Sequence, residues 1–386
     1  VGGAVRPTPS PDGKQIAFVR RDLGQTSLWV KDFASGVERR VYDALDRDVQ
    51  ETWAVTGVYP NMDWTPDSGS LVIWAGGKIH KVGVGNGADS VIPFRVSDTR
   101  VLVDAIHPVV DVAPDSFQTK MPRWASVSPD GRTVVFETLG KLWTKPMAGG
   151  TPKQLVKGDG DAFELWPSWS RDGRSIVFVG WDDANLGRVQ IVPASGGTAR
   201  TITQIPGHYA KPQFSPDGRT IVFEQREGGY LTAARGSENP GLYRVASTGG
   251  KAERIVSDGV EPQFGADNDR VFMLSEDAGK RQLVSTDLQG NAKRVHATGA
   301  LVNDYQVSPD GAFVAFRQNY QAFVMPLMPG TQNVDVDKKG DALPVTRVSG
   351  DGAEFINWSD GGRAVHWSLG PIVYTARTDA LFPSAP

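Results

Sequence analysis

A four-residue turn motif recurs along this chain and constrains its fold more than any other feature. One copy, Ser128-Pro129-Asp130-Gly131, is followed directly by the largely apolar segment at residues 132–136. Proline fixes φ for a type I turn, Asp bonds its own local backbone, and Gly accepts the left-handed conformation that closes a hairpin. Each copy therefore predicts a hairpin, and eight copies begin at Ser10, Thr65, Ser128, Ser170, Ser215, Gly265, Ser308 and Ser359.

The spacing of these copies predicts the architecture. Successive copies start 55, 63, 42, 45, 50, 43 and 51 residues apart, and a period of roughly 40 to 50 residues is typical of propeller blades or solenoid units. The chain is rich in turn-forming residues, with 44 Gly and 26 Pro, and no long segment has helical periodicity. We predict an all-β chain with scarce helix: a β-propeller of four-stranded antiparallel blades, eight in number with seven as the alternative, forming one domain over residues 1–386.

Two strands of each repeat have different side-chain patterns. The strand after the turn is apolar at successive positions, so we expect it to be buried on both faces. The strand before the turn places an apolar residue next to the motif and a small polar residue one position earlier. Because successive side chains of a strand point to opposite faces, the polar position is expected to line a central channel as one ring: Thr8, Asp63, Ser126, Ser168, Gln213, Gln263, Gln306 and Asn357.

The channel interpretation supplies candidate recognition residues and a stability expectation. Asp63, Gln213, Gln263 and Gln306 are the candidates from the polar ring. We expect Gln263→Ala to change stability little, because water would replace the amide, whereas Phe264→Ala would leave a cavity between blades. Strict alternation places a second, mixed ring two residues earlier on the same face: Arg6, Asn61, Trp124, Trp166, Lys211, Glu261, Asp304 and Phe355.

The ends of the chain predict how the repeats begin and finish. The first repeat is complete, with strands expected at residues 4–9, 14–20, 27–32 and 37–42. The eighth is cut short after residues 372–375, so we expect its outermost strand to be missing and no strand from the N-terminus to replace it.

Further recognition candidates lie outside the polar ring. Residues 43–60 form a long connection that carries Trp53 and Tyr59, and residues 94–121 form a second insertion. Loops on a rigid scaffold tend to carry binding residues, although these loops could instead only cap a blade edge. His208 and Tyr209 precede an inner strand, where they would contact a ligand at the channel mouth or, alternatively, hydrogen-bond between neighbouring blades.

The chain lacks the residue patterns of the common catalytic and metal sites. It has no cysteine and five isolated histidines, and no His-x-His pair, His-Glu-x-x-His helix or Gly-x-Ser-x-Gly elbow. We therefore predict no catalytic residue, no metal and no cofactor in this chain. The formal net charge of −3 gives no footprint for nucleic acid, and no apolar run is long enough for membrane insertion. A chain that begins at Val1 is expected to have lost a leader, which favours a periplasmic or secreted protein over a cytoplasmic one.

The turn motifs and the strands that follow them resemble the repeats of TolB-like, WD-related β-propellers over the whole chain. A narrower set of segments looks like the N-terminal propeller of large bacterial secreted proteins whose C-terminal part is a metal-dependent amidohydrolase barrel. That barrel is absent from these residues. The segments that carry the narrower resemblance are Leu45-Asp46-Arg47-Asp48, Glu51-Thr52-Trp53, Val58-Tyr59-Pro60, Trp74-Ala75-Gly76-Gly77-Lys78, Trp181-Asp182-Asp183, Leu186-Gly187 and Pro206-Gly207-His208-Tyr209.

The resemblance implies a non-catalytic recognition or gating module within a larger amidohydrolase-type hydrolase. Two alternatives stay open: a free-standing periplasmic protein-binding propeller of the TolB kind, and the propeller of a prolyl-oligopeptidase-type serine peptidase. The expected partner is a hydrolase domain of the same parent chain or a protein or peptide ligand.

Overall fold

The computed structural model describes residues 4–22, 25–46, 60–103, 108–158, 160–227, 238–330, 333–337 and 343–382. They form two compact units, the first within residues 4–117 and the second within residues 118–227 and 238–382. Trp53, Tyr59 and His107 lie outside the described residues.

The first unit contains two antiparallel four-stranded sheets. Their apolar residues share one core that includes Leu28, Trp64 and Leu71. The strands of the first repeat fall within two residues of the predicted bounds, because the turn motif fixes where each hairpin reverses. The first sheet consists of β1 (Ala4–Pro9), β2 (Gln15–Asp22), β3 (Gln25–Asp32) and β4 (Glu38–Tyr42), and the second of β5 (Met62–Trp64), β6 (Ser70–Ala75), β7 (Lys78–Gly83) and β8 (Asp89–Ile92).

The second unit contains six sheets, each starting from an inner strand that precedes one turn motif. The strands β9–β12 are Arg123–Val127, Thr133–Thr138, Lys141–Pro146 and Lys153–Gln154; β13–β16 are Phe163–Trp169, Ser175–Asp182, Leu186–Pro193 and Arg200–Thr201; β17–β20 are Tyr209–Phe214, Thr220–Gln225, Gly241–Ala246 and Glu253–Val256.

The remaining three sheets of this unit are less uniform. One has a fifth strand, β28, paired in parallel with β24, and the last has three strands, as expected from the shortened eighth repeat. Helix is limited to the 3₁₀ turn Asp360–Gly362 and to α1 (Thr378–Leu381) in the described part of the chain. The strands are β21–β24 (Val260–Phe264, Arg270–Asp277, Lys280–Asp287, Arg294–Gly299) with β28 (Val334–Asp335); β25–β27 (Val302–Val307, Phe313–Gln318, Gln321–Pro326) with β29 (Thr346–Arg347); and β30–β32 (Glu354–Ser359, Ala364–Leu369, Ile372–Arg377).

The six sheets of the second unit form a closed circuit. Inner strands of successive sheets contact one another from β9 to β30, and β30 in turn contacts β9. Asn357 on β30 joins the two ends: its Oδ1 accepts the backbone N–H of Val127 at 2.9 Å, and its Nδ2 donates to the carbonyl of Ala125 at 3.1 Å. Sheets arranged radially in this way define a β-propeller. The predicted fold class is confirmed, and the eight sheets match eight repeats rather than seven; a single domain over residues 1–386 stays a prediction.

The strand after the turn is buried on both faces in β2 and in the sheets of the second unit, as predicted, whereas β6 is buried on one face and exposes Trp74 on the other. Phe178 and Phe223 are fully buried, and their neighbours Val177 and Val222 on the opposite face are fully buried as well. In the last sheet the equivalent of these valines is His366, which is 3% exposed. The second strand of such a sheet is therefore its packed centre.

The prediction that side chains alternate strictly between the two faces is wrong for the inner strands. Five inner strands of the second unit, and β1 of the first unit, carry both a register shift and a residue of positive φ just before the polar position. A β-bulge inserts one residue into the strand and re-aims the side chain beside it. The left-handed residues are Arg6, Trp124, Trp166, Lys211, Glu261 and Phe355, with φ of 55, 50, 53, 47, 57 and 52°.

The second insertion has no strand or helix in its described parts, residues 94–103 and 108–121. Its apolar side chains are largely exposed: Val101 is 91% exposed, Leu102 90% and Val112 91%. No helix in the described part of the chain combines the length and apolar character needed to cross a bilayer.

Candidate functional site

The inner strands of the second unit surround a cavity of about 330 Å³, a size at the lower end for small-molecule sites. Each of the six sheets contributes residues to its wall. The six polar positions of this unit all line the cavity, as the channel interpretation predicts: Ser126, Ser168, Gln213, Gln263, Gln306 and Asn357.

Several of these polar side chains are used to join neighbouring blades. Gln263 is 6% exposed; its Nε2 donates to the carbonyl of Tyr305 at 2.6 Å and its Oε1 accepts the N–H of Val307 at 2.7 Å. Ser168 Oγ donates to Gln213 Oε1 at 2.6 Å. The expectation that water surrounds the Gln263 amide is therefore wrong, because the inner strand of the next blade already satisfies both ends of that amide.

The bulged positions form a second level of the wall with two chemically different halves. Six side chains two positions before the polar ring also reach the cavity, as the second ring predicts; five belong to left-handed residues and the sixth, that of Asp304, follows the register shift of β25. Consecutive blades supply three aromatic rings and then three charged groups. We call the first half the aromatic arc, Phe355, Trp124 and Trp166, and the second half the charged arc, Lys211, Glu261 and Asp304.

The aromatic arc presents two indole rings in contact. The rings of Trp124 and Trp166 have centroids 5.2 Å apart and planes inclined by 46°. The guanidinium carbon of Arg226 lies 5.0 Å from the centroid of the Trp166 ring, within the range of a cation–π interaction. Glu224 Oε2 accepts a hydrogen bond from Arg226 Nε at 2.8 Å, so this guanidinium is also ion-paired.

The charged arc is a linked set of three side chains. Lys211 forms an ion pair with Glu261, Glu261 is hydrogen-bonded to Asp304, and Asp304 Oδ1 accepts a hydrogen bond from Gln306 Nε2 at 2.8 Å. Burial raises the pKa of Glu261 to about 7, and the negative charge of Asp304 adds to this rise while Lys211 opposes it. A carboxyl group with such a pKa exchanges a proton near neutral pH.

Arg171 lies one level further along the same cavity. It occupies the motif position where five other copies have proline, and its Nη2 donates to the carbonyls of Gly265 at 2.8 Å and Phe264 at 3.3 Å. These carbonyls belong to a blade that is not adjacent to its own, since β17 lies between β13 and β21. Arg171 therefore spans part of the opening, and only the tertiary structure reveals this role for a turn residue.

Three sequence candidates among the described residues, Asp63, His208 and Tyr209, do not line this cavity. Asp63 lies on β5 of the first unit, where its Oδ1 accepts the N–H of Trp64 at 2.8 Å. His208 bonds the carbonyl of Glu227 through Nδ1 at 3.2 Å and packs on Trp181 of the preceding blade, with ring centroids 5.5 Å apart.

Tyr209 belongs to the packed core. It is 5% exposed, its hydroxyl donates to the carbonyl of Ile205 at 2.7 Å, and burial raises its pKa to about 12. Of this pair, only the ring of His208 contacts the preceding blade, and it does so by packing on Trp181; the hydrogen bond of each residue is local. No three His, Cys, Asp or Glu side chains within the described ranges are grouped so that they could hold a metal ion.

The closed circuit of sheets around a lined cavity defines a β-propeller module. Its repeats are similar to those of TolB-like proteins. No protein-family model matches the chain. An uncharacterized protein of Agrobacterium fabrum is 24% identical over 246 residues, which is 62% of this chain and 73% of that protein.

Two further relatives match smaller shares of their own length. A tricorn protease homolog of Saccharolobus solfataricus is 24% identical over 241 residues, 60% of this chain but 20% of that protein. The Tol-Pal system protein TolB of Francisella tularensis is 35% identical over 79 residues, 20% of this chain and 18% of that protein. The chain thus spans a fifth or less of the length of these two relatives, and the resemblance to TolB-like repeats is confirmed.

Solved structures align over most of the chain but with low scores. An oligogalacturonate lyase of Vibrio parahaemolyticus has a TM-score of 0.47 at 9% identity, covering 97% of this chain and 89% of that one. A putative TolB of Agrobacterium tumefaciens has a TM-score of 0.37 at 18% identity, covering 70% and 88%. The assignment of fold therefore depends on the sheets of this chain itself.

Proposed function

We propose that this propeller is a non-catalytic recognition module that binds its ligand in the cavity of the second unit. The observation that carries the proposal is the wall of that cavity, in which an aromatic arc and a charged arc are held on six inner strands. A pocket with apolar surface and a few convergent polar groups is the usual form of a binding site. Fixed strands also present these groups with little conformational entropy left to lose.

The proposal extends to a larger hydrolase chain of the amidohydrolase type, in which the propeller would select or admit ligands. The exposed apolar side chains of the second insertion support a further domain at this surface. Such a run of exposed apolar residues is uncommon on a monomer and is typical of an interaction site. A periplasmic or secreted location is part of the same proposal. Sequencing the gene beyond the codon for Pro386 tests the hydrolase partner, because a stop codon there would contradict it.

The recognition role has a direct binding test. A peptide library is screened against the 386-residue chain, and the best ligand is titrated against Trp124→Ala, which should weaken binding by about ten-fold or more because an aromatic contact surface is lost. Trp74→Ala is the matched control, since Trp74 is 44% exposed in the first unit. Equal loss in both variants, or no ligand at all, would contradict the proposal.

The non-catalytic role predicts that the purified chain is inert. Amide, ester and peptide substrates are offered with and without added zinc, and no turnover above the buffer is expected. Asp304→Asn is the control variant, because it removes a carboxylate from the cavity. Turnover that follows the protein through purification and is lost in Asp304→Asn would show that the cavity is an active site.

A further inference from the structure

The charged arc contains one carboxyl group more than it has cations. The carboxyl groups of Glu261 and Asp304 are in hydrogen-bonding contact, and the single ammonium of the arc, that of Lys211, pairs with Glu261. The backbone N–H of Glu261 donates to Glu224 Oε1 at 2.6 Å, but the charge of Glu224 is already matched by Arg226. Arg171 also lines the cavity, but its Nη2 donates to the carbonyls of Gly265 and Phe264 one level further along. Within the arc itself, carboxyl groups therefore outnumber cations by one.

Burial increases the energetic effect of the unequal numbers of carboxyl groups and cations in the charged arc. Two carboxylates at hydrogen-bonding distance in a partly desolvated site repel each other, and one of them holds a proton more tightly as a result. The raised pKa of Glu261 reflects this effect, with Lys211 and Asp304 facing its carboxyl group and Glu224 facing its backbone. A cation placed between the two carboxyl groups would release that proton and balance the charges.

The aromatic arc can contact the apolar part of a ligand whose cation lies between the two carboxyl groups. Trp124, Trp166 and Phe355 offer apolar surface for a hydrocarbon stem, and aromatic faces attract cations. The contact between Arg226 and Trp166 shows that a guanidinium already lies over one of these rings, with a carboxylate as its second partner. The same pairing of ring and carboxylate is available inside the cavity.

We propose that the cavity binds an organic monocation, an ammonium or guanidinium group on an apolar stem, with the cation between Glu261 and Asp304 and the stem against the aromatic arc. The inference rests on the proposed function and specifies its ligand class. The chemistry is shared by a lysine or arginine side chain of a peptide and by a free alkylamine. Neutral ligands of the same shape bind less well because they leave the charge deficit in place.

Calorimetric titration of the 386-residue chain tests the charge requirement. Nα-acetyl-lysine amide should bind between about ten-fold and a hundred-fold more tightly than Nα-acetyl-norleucine amide, which has a similar stem without the ammonium. Butylammonium separates the two sources: binding equal to that of the lysine derivative indicates a free amine, and weaker binding indicates a peptide side chain. Equal affinity for the lysine and norleucine derivatives would overturn the inference and leave the recognition role standing, whereas failure of every peptide to bind would overturn both.

A variant and a pH series locate the site. Asp304→Asn should weaken binding of the lysine derivative by at least about ten-fold, whereas Asp63→Asn, a carboxylate on an inner strand of the first unit, should leave it unchanged. Affinity should rise about ten-fold from about pH 6 to about pH 8, because Glu261 must lose its proton. Affinity that is independent of Asp304 and flat with pH would contradict the placement of the cation.

Discussion

At the scale of single residues, the repeat is held by side chains that bond the backbone. In the turn at residues 128–131, Ser128 Oγ donates to Asp130 Oδ1 at 2.6 Å and accepts the N–H of Thr133 at 3.0 Å, while Asp130 Oδ1 accepts the N–H of Arg132 at 3.1 Å. The hydrogen bond from Ser128 lowers the pKa of Asp130, and the N–H of Arg132 adds to this effect. A carboxylate that accepts such bonds favours the turn whenever it is ionised.

Tryptophan just before the motif forms a second repeated contact. The indole N–H of Trp64 donates to the carbonyl of Thr8, that of Trp169 to Ser126 and that of Trp358 to Gln306, at 2.9, 3.0 and 2.9 Å. In each case the acceptor is the polar position of the preceding repeat. Tryptophan at this place therefore joins consecutive blades.

Removal of one of these indole donors should destabilise the protein. Trp358→Phe is expected to lower the free energy of unfolding by about 1 to 2 kcal/mol, because a partly buried carbonyl loses its partner and some packing is lost. Trp74→Phe, at an exposed position, should change it little. Denaturant midpoints of the two variants measure this difference. Equal midpoints would show that the indole hydrogen bond contributes nothing to stability.

Substitution of Gln263 should lower the stability of the folded protein. Gln263→Ala leaves the N–H of Val307 and the carbonyl of Tyr305 without their partner, at a cost of about 1 to 3 kcal/mol for each buried group. Thr8→Ala is the control, because the Thr8 hydroxyl makes only an exposed contact. Chemical denaturation should show a loss of unfolding free energy for Gln263→Ala that approaches the roughly 3 to 5 kcal/mol expected for Phe264→Ala. An unchanged unfolding free energy would indicate that water surrounds the Gln263 amide after all.

At the scale of elements, each sheet of the second unit is a meander whose inner strand carries a register shift. Each of these six inner strands supplies two side chains to the cavity wall, one from the polar ring and one from two positions earlier. The last sheet adds a polar centre: His366 on β31 bonds Ser359 of β30 through Nε2 and Thr375 of β32 through Nδ1, both at 2.8 Å. One buried imidazole thus links all three strands of that sheet.

This histidine should make stability depend on pH. Burial lowers the pKa of His366 from 6.5 to about 4, so below pH 6.5 the unfolded chain takes up a proton that the folded chain does not. The contribution is fully present above pH 6.5 and decreases toward pH 4, with a slope of at most about 1.4 kcal/mol per pH unit. His366→Gln, which keeps hydrogen-bonding capacity without titrating in this range, should flatten unfolding free energy against pH in this window; an unchanged slope would mean that the imidazole is protonated in the folded protein.

At the scale of the whole molecule, the described residues divide into two units with different roles. The second carries the closed circuit and the cavity, and the first carries the start of the exposed insertion. The circuit closes through residues far apart in the sequence, since Asn357 and Val127 are 230 positions apart. The cavity therefore exists only when the whole unit is folded.

The insertion should affect association rather than folding. Replacing Val101, Leu102 and Val103 together by Ser removes apolar side chains that are 91, 90 and 84% exposed, so self-association and binding of a hydrophobic dye should fall while Tm stays the same. Leu71→Ser, at a fully buried position of the same unit, should instead lower Tm. A drop in Tm for the triple variant would show that the insertion is packed in the folded chain.

The sequence by itself determined the repeat, the hairpin turns, the doubly buried strands and six of the polar cavity positions. Turn chemistry and a period of two are local properties, which a few neighbouring residues specify. The sequence also predicted that the residues of the second ring lie at one level of the cavity. That prediction assumed strict alternation, whereas the inner strands contain bulges. No residue type marks the bulge, because Arg, Trp, Lys, Glu and Phe all occur there.

Only the tertiary structure decided which groups meet. The aromatic and charged arcs are made from residues of six different repeats, and Arg171 bonds carbonyls more than 90 positions away. The partners of Gln263 lie on another strand, so a polar residue at a channel position and a buried link between blades look identical in the sequence. Long-range contacts carry no local pattern, and for that reason the chemistry of the cavity became visible only in the folded chain.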